Sequence, residues 1–475
     1  MTRSIPPVTF PLVVALAVAC PALGQLPPSS QGLAPTVILG RPTDHSIAVS
    51  VEAGVAVEAY LEYGTSSGVY DDQTAVVASA GSAPLVFALH DLPSDAPVVY
   101  RLRLRRPDAS EFTASPERNF HTQRDRGGTF RFVVVADSHL GTPDHCNPTL
   151  YTRTLQNALA DAPDFFLDLG DTFRADHIPV VNEATVERLY LDQRPYFGLL
   201  AASAPLFLAA GNHETASGWV HDGSAESSAV WAVRARQKHY LNPLPDGFYS
   251  GDTHPDPVVG LPGDYYAWEW GAALFVVLDP YWYTAVDPRA SGDLWDWTLG
   301  EEQFRWLERT LATSTAPFKF VFAHHVQGDG TRGGVEPAAL FEWGGRGRNG
   351  ASEFAARRPG WEAPVHDLFV RYGVTAFFQG HDHLFARQEK DGVVYQTCPM
   401  PADASYRQTH AEFFRSGHVL PASGHLRVTV TPTTATVDYL RAWLPADETE
   451  VHRNGEVAFS YTLTGKPVPR VPRRR

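Results

Sequence analysis

The sequence predicts a layered α/β domain preceded by a small all-β sandwich. Between residues 36 and 123, short segments alternate apolar and polar residues and are separated by turn residues, which is typical of antiparallel strands. Between residues 129 and 445, strand-like apolar runs alternate with helical stretches such as EEQFRWLERTLATS, which is typical of a sheet covered on both faces. The segment RDRGG at 124–128 separates the two patterns.

Composition and charge limit the classes of protein to which the chain can belong. With 475 residues, it is long enough for about two or three domains. Hydrophobic residues make up 44% and charged residues 19%, which excludes wholesale disorder. The formal net charge is −14, and such an acidic average surface argues against broad binding to nucleic acid or anionic membranes.

Residues 1–24 are typical of an export signal. Arg3 precedes the apolar stretch FPLVVALAVA, which is too short to span a bilayer, and Ala22-Leu23-Gly24 fits a small-x-small cleavage site. A second interpretation, lipoprotein processing at Cys20, stays open. Residues 25–35 form a Pro/Ser/Gly-rich linker, and no later stretch is apolar for long enough to form a membrane helix. We therefore expect the mature protein to be secreted or periplasmic.

The end of the chain and the cysteines give two further expectations. Residues 446–475 contain a strand-like segment, EVAFSYTL, and a basic tail, PRVPRRR, which we expect to be solvated. Cys146 and Cys398 each follow one of the motifs described below. A disulfide between them and two separate buried thiols are equally compatible with the sequence.

Five of the strand-like runs in the second region end in side chains that bind metals or transfer protons. Because the carboxyl ends of strands in an open α/β sheet face one crevice, residues at the ends of different strands come together in space. Carboxylate, carboxamide and imidazole groups together suit divalent Mn, Fe or Zn. The candidates are Asp137 and His139, Asp171, Asn212 and His213, His324 and His325, and His381 and His383.

A single Asp or His at a strand end is more often a turn former or a helix cap than a ligand. We keep that interpretation for Asp168, Asp279 and His366. Five such strand ends in one chain favour a shared metal site instead. A neighbouring pair of ions would need about this many ligands, with one carboxylate able to bridge them.

In order along the chain, these residues resemble the five blocks of the calcineurin-like metallophosphoesterases. The blocks are DSH at 137–139, GD at 170–171, GNHE at 211–214, HH at 324–325 and GHDH at 380–383, and the resemblance covers about residues 130 to 440. The preceding sandwich, GNHE and the segment GDYYAWEWGAALFVVLDP are most similar to the purple acid phosphatase branch. The resemblance implies two sheets flanked by helices, behind a fibronectin-type-III-like sandwich.

The resemblance also implies two divalent ions and a role for each candidate residue. His213 would not bind metal; it would face the scissile phosphate as a donor or general acid to the leaving oxygen. A metal-bridging hydroxide would attack phosphorus in line, and Mn, Fe(II) and Zn all stay open as the ions. The implied ligands are Asp137, His139 and His383 for the first ion, Asn212, His324 and His381 for the second, and Asp171 as the bridge.

Two departures from the purple enzymes affect these expectations. Arg174 stands three residues after Asp171, where purple acid phosphatases carry the tyrosine that gives their colour and several other branches carry an aspartate that orients the catalytic histidine. The first block also contains His139, which the purple enzymes lack. We therefore expect a colourless or weakly coloured protein and leave the donor role of His213 open. Arg174 either binds a phosphate oxygen or forms a salt bridge outside the pocket.

Three further features concern substrate binding. His325 either contacts substrate, which we favour, or stacks on a neighbour. Tyr281 begins a run of three aromatics that we expect to be exposed in the loop 279–289, where they shape a pocket or pack under the loop. The Gly/Arg-rich segment after His325 is typical of a mobile flap, whose arginines either contact an anion or, as we expect, are solvated: Arg332, Arg346 and Arg348.

Together these features predict a secreted dimetal phosphohydrolase that acts on small-molecule phosphate esters. The closest resemblance, to acid phosphatases, favours a phosphomonoesterase. A phosphodiesterase or nucleotide hydrolase of the same fold is the alternative, because the ligand blocks do not separate the two. A non-catalytic surface-binding module is disfavoured because the ligand set is complete. The sequence leaves the oligomeric state open.

Overall fold

The protein is described by a computed structural model that covers residues 35–328 and 330–466. The predicted export signal, Cys20, most of the linker and the basic tail lie outside the described residues. The strands are β1 Thr36–Gly40, β2 Ile47–Glu52, β3 Val57–Gly64, β4 Asp72–Gln73, β5 Val77–Ser79, β6 Leu85–Leu89, β7 Pro97–Arg105, β8 Thr113–Ala114, β9 Arg118–His121, β10 Phe130–Val135, β11 Phe165–Asp168, β12 Leu206–Leu208, β13 Ser250–Gly251, β14 Tyr266–Trp270, β15 Ala273–Val277, β16 Phe318–Phe322, β17 Ala376–Gln379, β18 Phe385–Lys390, β19 Val393–Thr397, β20 His418–Leu420, β21 Gly424–Val430, β22 Thr434–Arg441 and β23 Val457–Thr464. The α-helices are α1 Pro148–Ala160, α2 Glu183–Ala201, α3 Ser228–His239, α4 Pro288–Ser291, α5 Glu301–Thr313, α6 Phe341–Gly344, α7 Phe354–Arg357 and α8 Val365–Tyr372.

Strands β1–β9 form a two-sheet β-sandwich, as the sequence predicts. One sheet has the order β1-β2-β6, and the other has the order β4-β3-β7-β8, with β5 on β3 and β9 on β7. Strand β7 shows why the alternating pattern folds this way. Its residues Val98, Tyr100, Leu102 and Leu104 are buried between the sheets, while its arginines face outward and pair with glutamates of β3.

The second region is built on two sheets that pack face to face. One has the order β12-β11-β10-β21-β22-β23, and the other has the order β13-β14-β15-β16-β17-β19-β18-β20. Their facing sides form an aromatic core, in which the rings of Phe132 and Phe165 each lie 5.1 Å from Phe275. Helices α1–α3 cover the outer side of the first sheet, and α5 and α8 cover that of the second. This arrangement confirms the predicted layered α/β fold.

The sheets bring the ends of their parallel strands to one place. Strands β10, β11 and β12 are parallel in the first sheet, as are β15, β16, β17 and β19 in the second. Beyond the strand ends, the N–H of His381 donates to Asp137 Oδ2 at 2.8 Å, and this bond joins the two sheets. The residues that follow β10, β11, β12, β16 and β17 therefore meet at a single crevice.

The sandwich packs against the first sheet's helices. Buried Arg194 in α2 donates to Thr36 Oγ1 at 3.1 Å and to the carbonyl of Ser50 at 3.3 Å. The hydroxyl of Tyr100 in the sandwich donates to the carbonyl of Ala202 at 2.7 Å. These side chains are buried where the two regions meet. The hydrogen bonds therefore satisfy polar atoms that would otherwise be buried without a partner.

The structure also bears on the expectations about the two cysteines and about membrane helices. Cys146 and Cys398 are both free and buried, so the interpretation as two separate thiols is correct. In the part of the chain that the structure describes, no helix is both long enough and apolar enough to cross a membrane.

Candidate metal centre

The first group of candidate ligands joins the end of β10 to the loop after β17. The Nε2 atoms of His139 and His383 lie 3.1 Å apart. Asp137 Oδ1 is 3.8 Å from His139 Nε2 and 3.5 Å from His383 Nε2. All three donor atoms converge in one group that could hold a cation, as the sequence predicts.

The second group contains Asp171, which also lies near His139 of the first group. Asp171 Oδ2 is 4.0 Å from His139 Nε2 and 3.1 Å from His324 Nε2. His381 Nδ1 lies 3.3 Å from His324 Nε2 and 3.0 Å from Asn212 Oδ1. Asp171 therefore stands between two clusters of donor atoms, which is the position that a bridging carboxylate would occupy.

Several of the candidate ligands share one strained backbone conformation. Five of them have positive φ in the left-handed region, namely Asp137 (60°), His139 (45°), Asp171 (53°), His381 (67°) and His383 (60°). Left-handed backbone costs free energy for residues with a Cβ and persists only where the surrounding fold holds it. Here the ends of the buried strands hold these residues and turn their side chains into the crevice.

Glycines next to the ligands allow the strand ends to approach closely. A Cβ on Gly380 would lie 2.4 Å from Asp137 Oδ2, and one on Gly170 would lie 2.3 Å from the backbone nitrogen of Gly211. Both distances are far shorter than real contacts, so these positions need glycine. The Gly-ligand pairs in the sequence thus have a packing reason.

Burial keeps most of the candidate imidazoles neutral. It lowers the pKa of His139 to about 3 and lowers the pKa values of His381 and His383 well below the ordinary range. A neutral imidazole keeps one nitrogen lone pair for a cation. The hydrogen bond from His324 Nδ1–H to the carbonyl of Leu169, at 2.9 Å, likewise turns the Nε2 atom of that ring toward Asp171.

Burial and the neighbouring imidazoles shift the pKa values of the two carboxylates in opposite directions: that of Asp137 rises and that of Asp171 falls. Burial raises the pKa of Asp137 to about 8, although His324 opposes the shift. Burial also acts to raise the pKa of Asp171, but His324, His213 and His139 outweigh it and lower that pKa. For His324, burial acts to lower the pKa, and Asp171 outweighs it, so the pKa rises to about 10.

The donor set fits two divalent ions of the Mn, Fe or Zn type. Asp137 Oδ1 is buried and has no hydrogen-bond partner, although it points at two imidazole nitrogens. An orphaned carboxylate oxygen in this position is costly unless a cation binds there. All the donors are imidazole, carboxylate or carboxamide groups, which suit borderline and hard divalent ions.

His213 lies beside the two clusters and is held by a residue that sequence reasoning missed. Its Nδ1 is 2.8 Å from both carboxylate oxygens of Asp176, and its Nε2 is 3.8 Å from Asp171 Oδ2. Burial acts to lower the pKa of His213, but Asp171 and Asp176 outweigh it and raise the pKa. Asp176 thus supplies the orienting carboxylate that Arg174 does not, from a position five residues after Asp171.

Arg174 is half-buried near the clusters. Its Nη2 contacts His177 Nε2, and its charge acts to lower the pKa values of both His139 and His213. The guanidinium is therefore close enough to influence the centre, and its contact with a phosphate oxygen stays a prediction.

Burial does not support substrate contacts by Tyr281 and His325. Both side chains are fully buried, so the expectation that Tyr281 is exposed is wrong. The Tyr281 ring turns inward against Trp297 at 5.7 Å and lies 6.2 Å from His324. The His325 ring packs behind His381 at 4.6 Å. Both residues pack against candidate ligands, which makes them supports of the centre.

The segment after His325 is tied to the ligand loop. Arg332 Nη1 donates to the carbonyl of His381 at 2.7 Å and to Asp382 Oδ1 at 3.3 Å. Asp382 Oδ2 accepts the N–H of Gly333 at 3.0 Å. Arg332 is therefore a positioning group for the ligand loop, and the expectation that it is simply solvated is wrong.

The family of the chain follows from comparison with known proteins. The sequence model of the calcineurin-like phosphoesterase family matches residues 130–385. This range is more than half of the chain and contains every candidate ligand. The chain therefore belongs to the calcineurin-like phosphoesterases, a family of metal-dependent phosphoester hydrolases.

Individual relatives indicate the branch. The probable inactive purple acid phosphatase 24 of Arabidopsis thaliana is 24% identical over 281 residues, which are 57% of this chain and 36% of the relative. The chain thus spans about a third of the length of that curated relative. The purple acid phosphatase PPD1 from yellow lupin (Lupinus luteus) seeds shares the fold with a TM-score of 0.59 and 16% identity, over 91% of this chain and 74% of that one. These similarities support the purple-acid-phosphatase-like branch.

A second solved structure extends the likeness in fold. The structure of PhoD matches with a TM-score of 0.63 and 14% identity, over 91% of this chain and 90% of that one. The match covers nearly the whole of both chains, so the combination of an N-terminal β region and a layered α/β domain recurs in a solved protein.

Proposed function

We propose that this chain is a secreted phosphomonoesterase that hydrolyses small phosphate esters with two divalent ions. The observation that carries the proposal is the position of His213, held by Asp176 beside a carboxylate shared between two groups of donor atoms. When bound, the ions would polarise the phosphoryl oxygens and lower the pKa of an attacking water. Proton donation and phosphate binding are carried out by side chains of this chain.

In this proposal, His213 donates a proton to the leaving oxygen. Asp176 accepts a hydrogen bond from Nδ1–H, which directs the Nε2 atom toward the space above Asp171. Arg174 binds a non-bridging phosphate oxygen, a task suited to a guanidinium group. The complete ligand set opposes a non-catalytic binding role.

Metal analysis combined with hydrolysis tests the proposal. The purified protein is analysed for Mn, Fe and Zn and assayed with p-nitrophenyl phosphate and bis-p-nitrophenyl phosphate. His213→Ala and Asn212→Ala are compared with His90→Ala, which changes an exposed histidine of the sandwich. We expect two ions per chain, faster hydrolysis of the monoester, and loss of hydrolysis in the first two variants alone.

Other outcomes of this experiment lead to different conclusions. Faster hydrolysis of the diester would indicate a phosphodiesterase of the same mechanism class. Bound metal without hydrolysis of either ester would contradict the catalytic proposal for these substrates. Since Arg174 replaces the tyrosine of the purple enzymes, a strong visible absorption band in the aerated protein would contradict the predicted metal environment.

A further inference from the structure

Two buried carboxyl groups lie in contact at the crevice end of the second sheet, outside the metal centre. Asp264 stands just before β14 and Asp279 just after β15, and these strands are antiparallel neighbours. The residues are 1% and 0% exposed, and their carboxyl groups lie within hydrogen-bonding distance of each other. Within the described residues, neither belongs to a group of donor atoms that could hold a metal. The contact between two buried acidic groups therefore requires an explanation other than a shared cation.

Each carboxyl group has one oxygen with a donor and one without. Asp264 Oδ1 accepts the N–H of Tyr265 at 2.9 Å and lies 3.2 Å from the hydroxyl of Tyr283. Asp279 Oδ1 accepts the N–H of Tyr281 at 2.6 Å. The Oδ2 atoms of both aspartates are buried and have no hydrogen-bond partner among the described residues. One proton held between the two carboxyl groups would satisfy both of these oxygens.

The surroundings oppose ionisation of both carboxyl groups. Burial raises the pKa of Asp264; Arg236 of α3 opposes this shift, and Asp252 adds to it. Burial and Asp264 raise the pKa of Asp279 well above its ordinary value of 3.8. The guanidinium of Arg236 is buried and also donates to the carbonyl of Pro262 at 3.1 Å. One cation can balance only one carboxylate, so the other carboxyl group is more stable with its proton.

Asp279 is connected to the metal centre through Tyr281. The carboxyl group of Asp279 accepts the N–H of Tyr281, and the ring of Tyr281 lies 6.2 Å from that of the candidate ligand His324. The carbonyl of Tyr281 accepts the N–H of Gly218 at 3.0 Å, in the segment that follows His213. A displacement of Asp279 would therefore reach both the second group of ligands and the proposed proton donor.

We infer that Asp264 and Asp279, the acid pair, share one proton in the folded protein and that this bond positions Tyr281 against the second group of ligands. When hydroxide removes the proton in alkaline solution, water forms, two adjacent carboxylates repel each other, and the segment 279–284 loosens. The acid pair thus restricts the intact centre to acidic and neutral solution. The inference rests on the proposed function in one respect, the binding of ions by the centre.

Asp279→Asn tests the shared proton, because an amide group donates permanently where that proton would lie. Urea unfolding of the metal-loaded protein and of the variant is measured from pH 5 to pH 10. The folded unaltered protein keeps a proton that the unfolded chain has lost, so its stability falls relative to that of the variant as pH rises, until the pair ionises. We expect the ratio of the two unfolding constants to change about tenfold per pH unit over that part of the range, the effect of one proton.

Two further variants complete this experiment. Asp264→Asn repeats the test from the other partner. Asp252→Asn is the matched control, because it removes a neighbouring buried carboxylate and leaves the pair intact, so it should keep the slope of the unaltered protein. An unaltered slope in both amide variants of the pair would overturn the shared proton, and so would failure of both to fold, since either amide preserves the hydrogen bond. Stabilisation by Ca²⁺ that both variants lack would also overturn it, because the carboxylates would then hold a cation.

Metal retention tests whether the pair positions the centre. The metal-loaded unaltered protein and Asp279→Asn are dialysed against EDTA at pH 6 and at pH 10, and bound metal is measured whether or not any ester is hydrolysed. We expect equal retention at pH 6 and faster loss of one ion per chain from the unaltered protein at pH 10. Equal loss at pH 10 would overturn the connection to the centre. Failure of the proposed function would differ, since it would leave bound metal without hydrolysis.

Discussion

At the scale of single residues, the orientation of His213 depends on one carboxylate. Asp176 is within 2.8 Å of Nδ1 through both of its oxygens. A carboxylate in this position keeps a proton on Nδ1, so the proton that the ring gains and loses is the one on Nε2. The same hydrogen bonds hold the plane of the ring. The residue lies in a short 3-10 helix, Ala175–His177, which comes after Arg174.

We expect Asp176→Asn to lower kcat on p-nitrophenyl phosphate by about 10-fold to 100-fold, part of the contribution typical of general acid catalysis. Metal content should not change, because Asp176 is not placed among the seven ligands. Asp192→Asn is the control, since Asp192 is paired with Arg188 on the surface of α2. Equal kcat values for Asp176→Asn and the control would mean that Asp176 does not position His213.

Gly380 gives a second test at this scale, because it lets the ligand loop approach Asp137. The Cβ of an alanine would lie 2.4 Å from Asp137 Oδ2 and 2.7 Å from Ala136 Cβ. We expect Gly380→Ala to lower the free energy of unfolding by about 1–3 kcal/mol and to reduce bound metal. Urea unfolding and metal analysis measure both effects. Gly127→Ala, where a Cβ has no neighbour within 4 Å, should change neither.

Local sequence patterns predicted the candidate metal ligands better than the residues that pack against or orient the side chains of the site. Each ligand follows an apolar run, and the end of a buried strand has a defined place in an α/β fold. Asp176 lies in a short 3-10 helix within a long loop, whose direction no hydrophobic period encodes. Tyr281 follows a strand as the ligands do, yet its ring turns inward against Trp297. Tertiary packing determines that orientation, and the local sequence does not encode it.

At the scale of elements, strand β16 contains a buried lysine. Lys319 is 2% exposed, and its Nζ donates to the carbonyl of Leu311 near the end of α5, at 2.6 Å. Burial lowers the pKa of Lys319 from 10.5 to about 8, although Glu269 opposes the shift. Between these two values the unfolded chain binds more protons than the folded chain, so the stability contribution of this residue rises with pH.

We therefore expect the difference in free energy of unfolding between the unaltered protein and Lys319→Met to grow in favour of the unaltered protein from pH 8 to pH 10. Its size should be on the order of 3 kcal/mol at most. Urea unfolding at intervals across this range measures it. Lys238→Met, at an exposed position in α3, should show no such slope, and a flat difference for Lys319→Met would contradict the argument.

Alternating strands and helices predicted the layers but not the strand order. The late strands β21, β22 and β23 return to the sheet of β10 rather than extending the nearer one. β21 pairs with β10 antiparallel. Nothing in the period of those segments selects a partner 292 to 300 residues away, because pairing depends on the shape of the sheet edge that is left open.

At the scale of the whole molecule, the sandwich has a supporting role in our proposal. We propose that residues 36–123 form a fibronectin-type-III-like domain that supports a catalytic domain at 129–445. Arg194 is one polar connection between them, since it bonds to both Thr36 and Ser50 from within α2. A buried guanidinium that loses such partners is costly, and so are partners left without it.

We expect Arg194→Met to lower the free energy of unfolding by about 3 kcal/mol. All 11 tryptophans lie at or after residue 219, so tryptophan fluorescence reports on the catalytic domain alone. A lower urea midpoint by fluorescence would show that docking of the sandwich stabilises that domain. Arg188→Met on the same helix removes only a surface ion pair and should change stability by less than about 1 kcal/mol.

The left-handed backbone at the five ligands has a consequence for how the protein is made. Because the strand ends impose that backbone, we expect the centre to take its shape when the sheets form, before any ion arrives. Synthesis and loading can then take place in different compartments and at different times. We expect the ions of the mature protein to reflect the supply that it meets after folding, so that one polypeptide gives products with different metals in cells that differ only in metal availability.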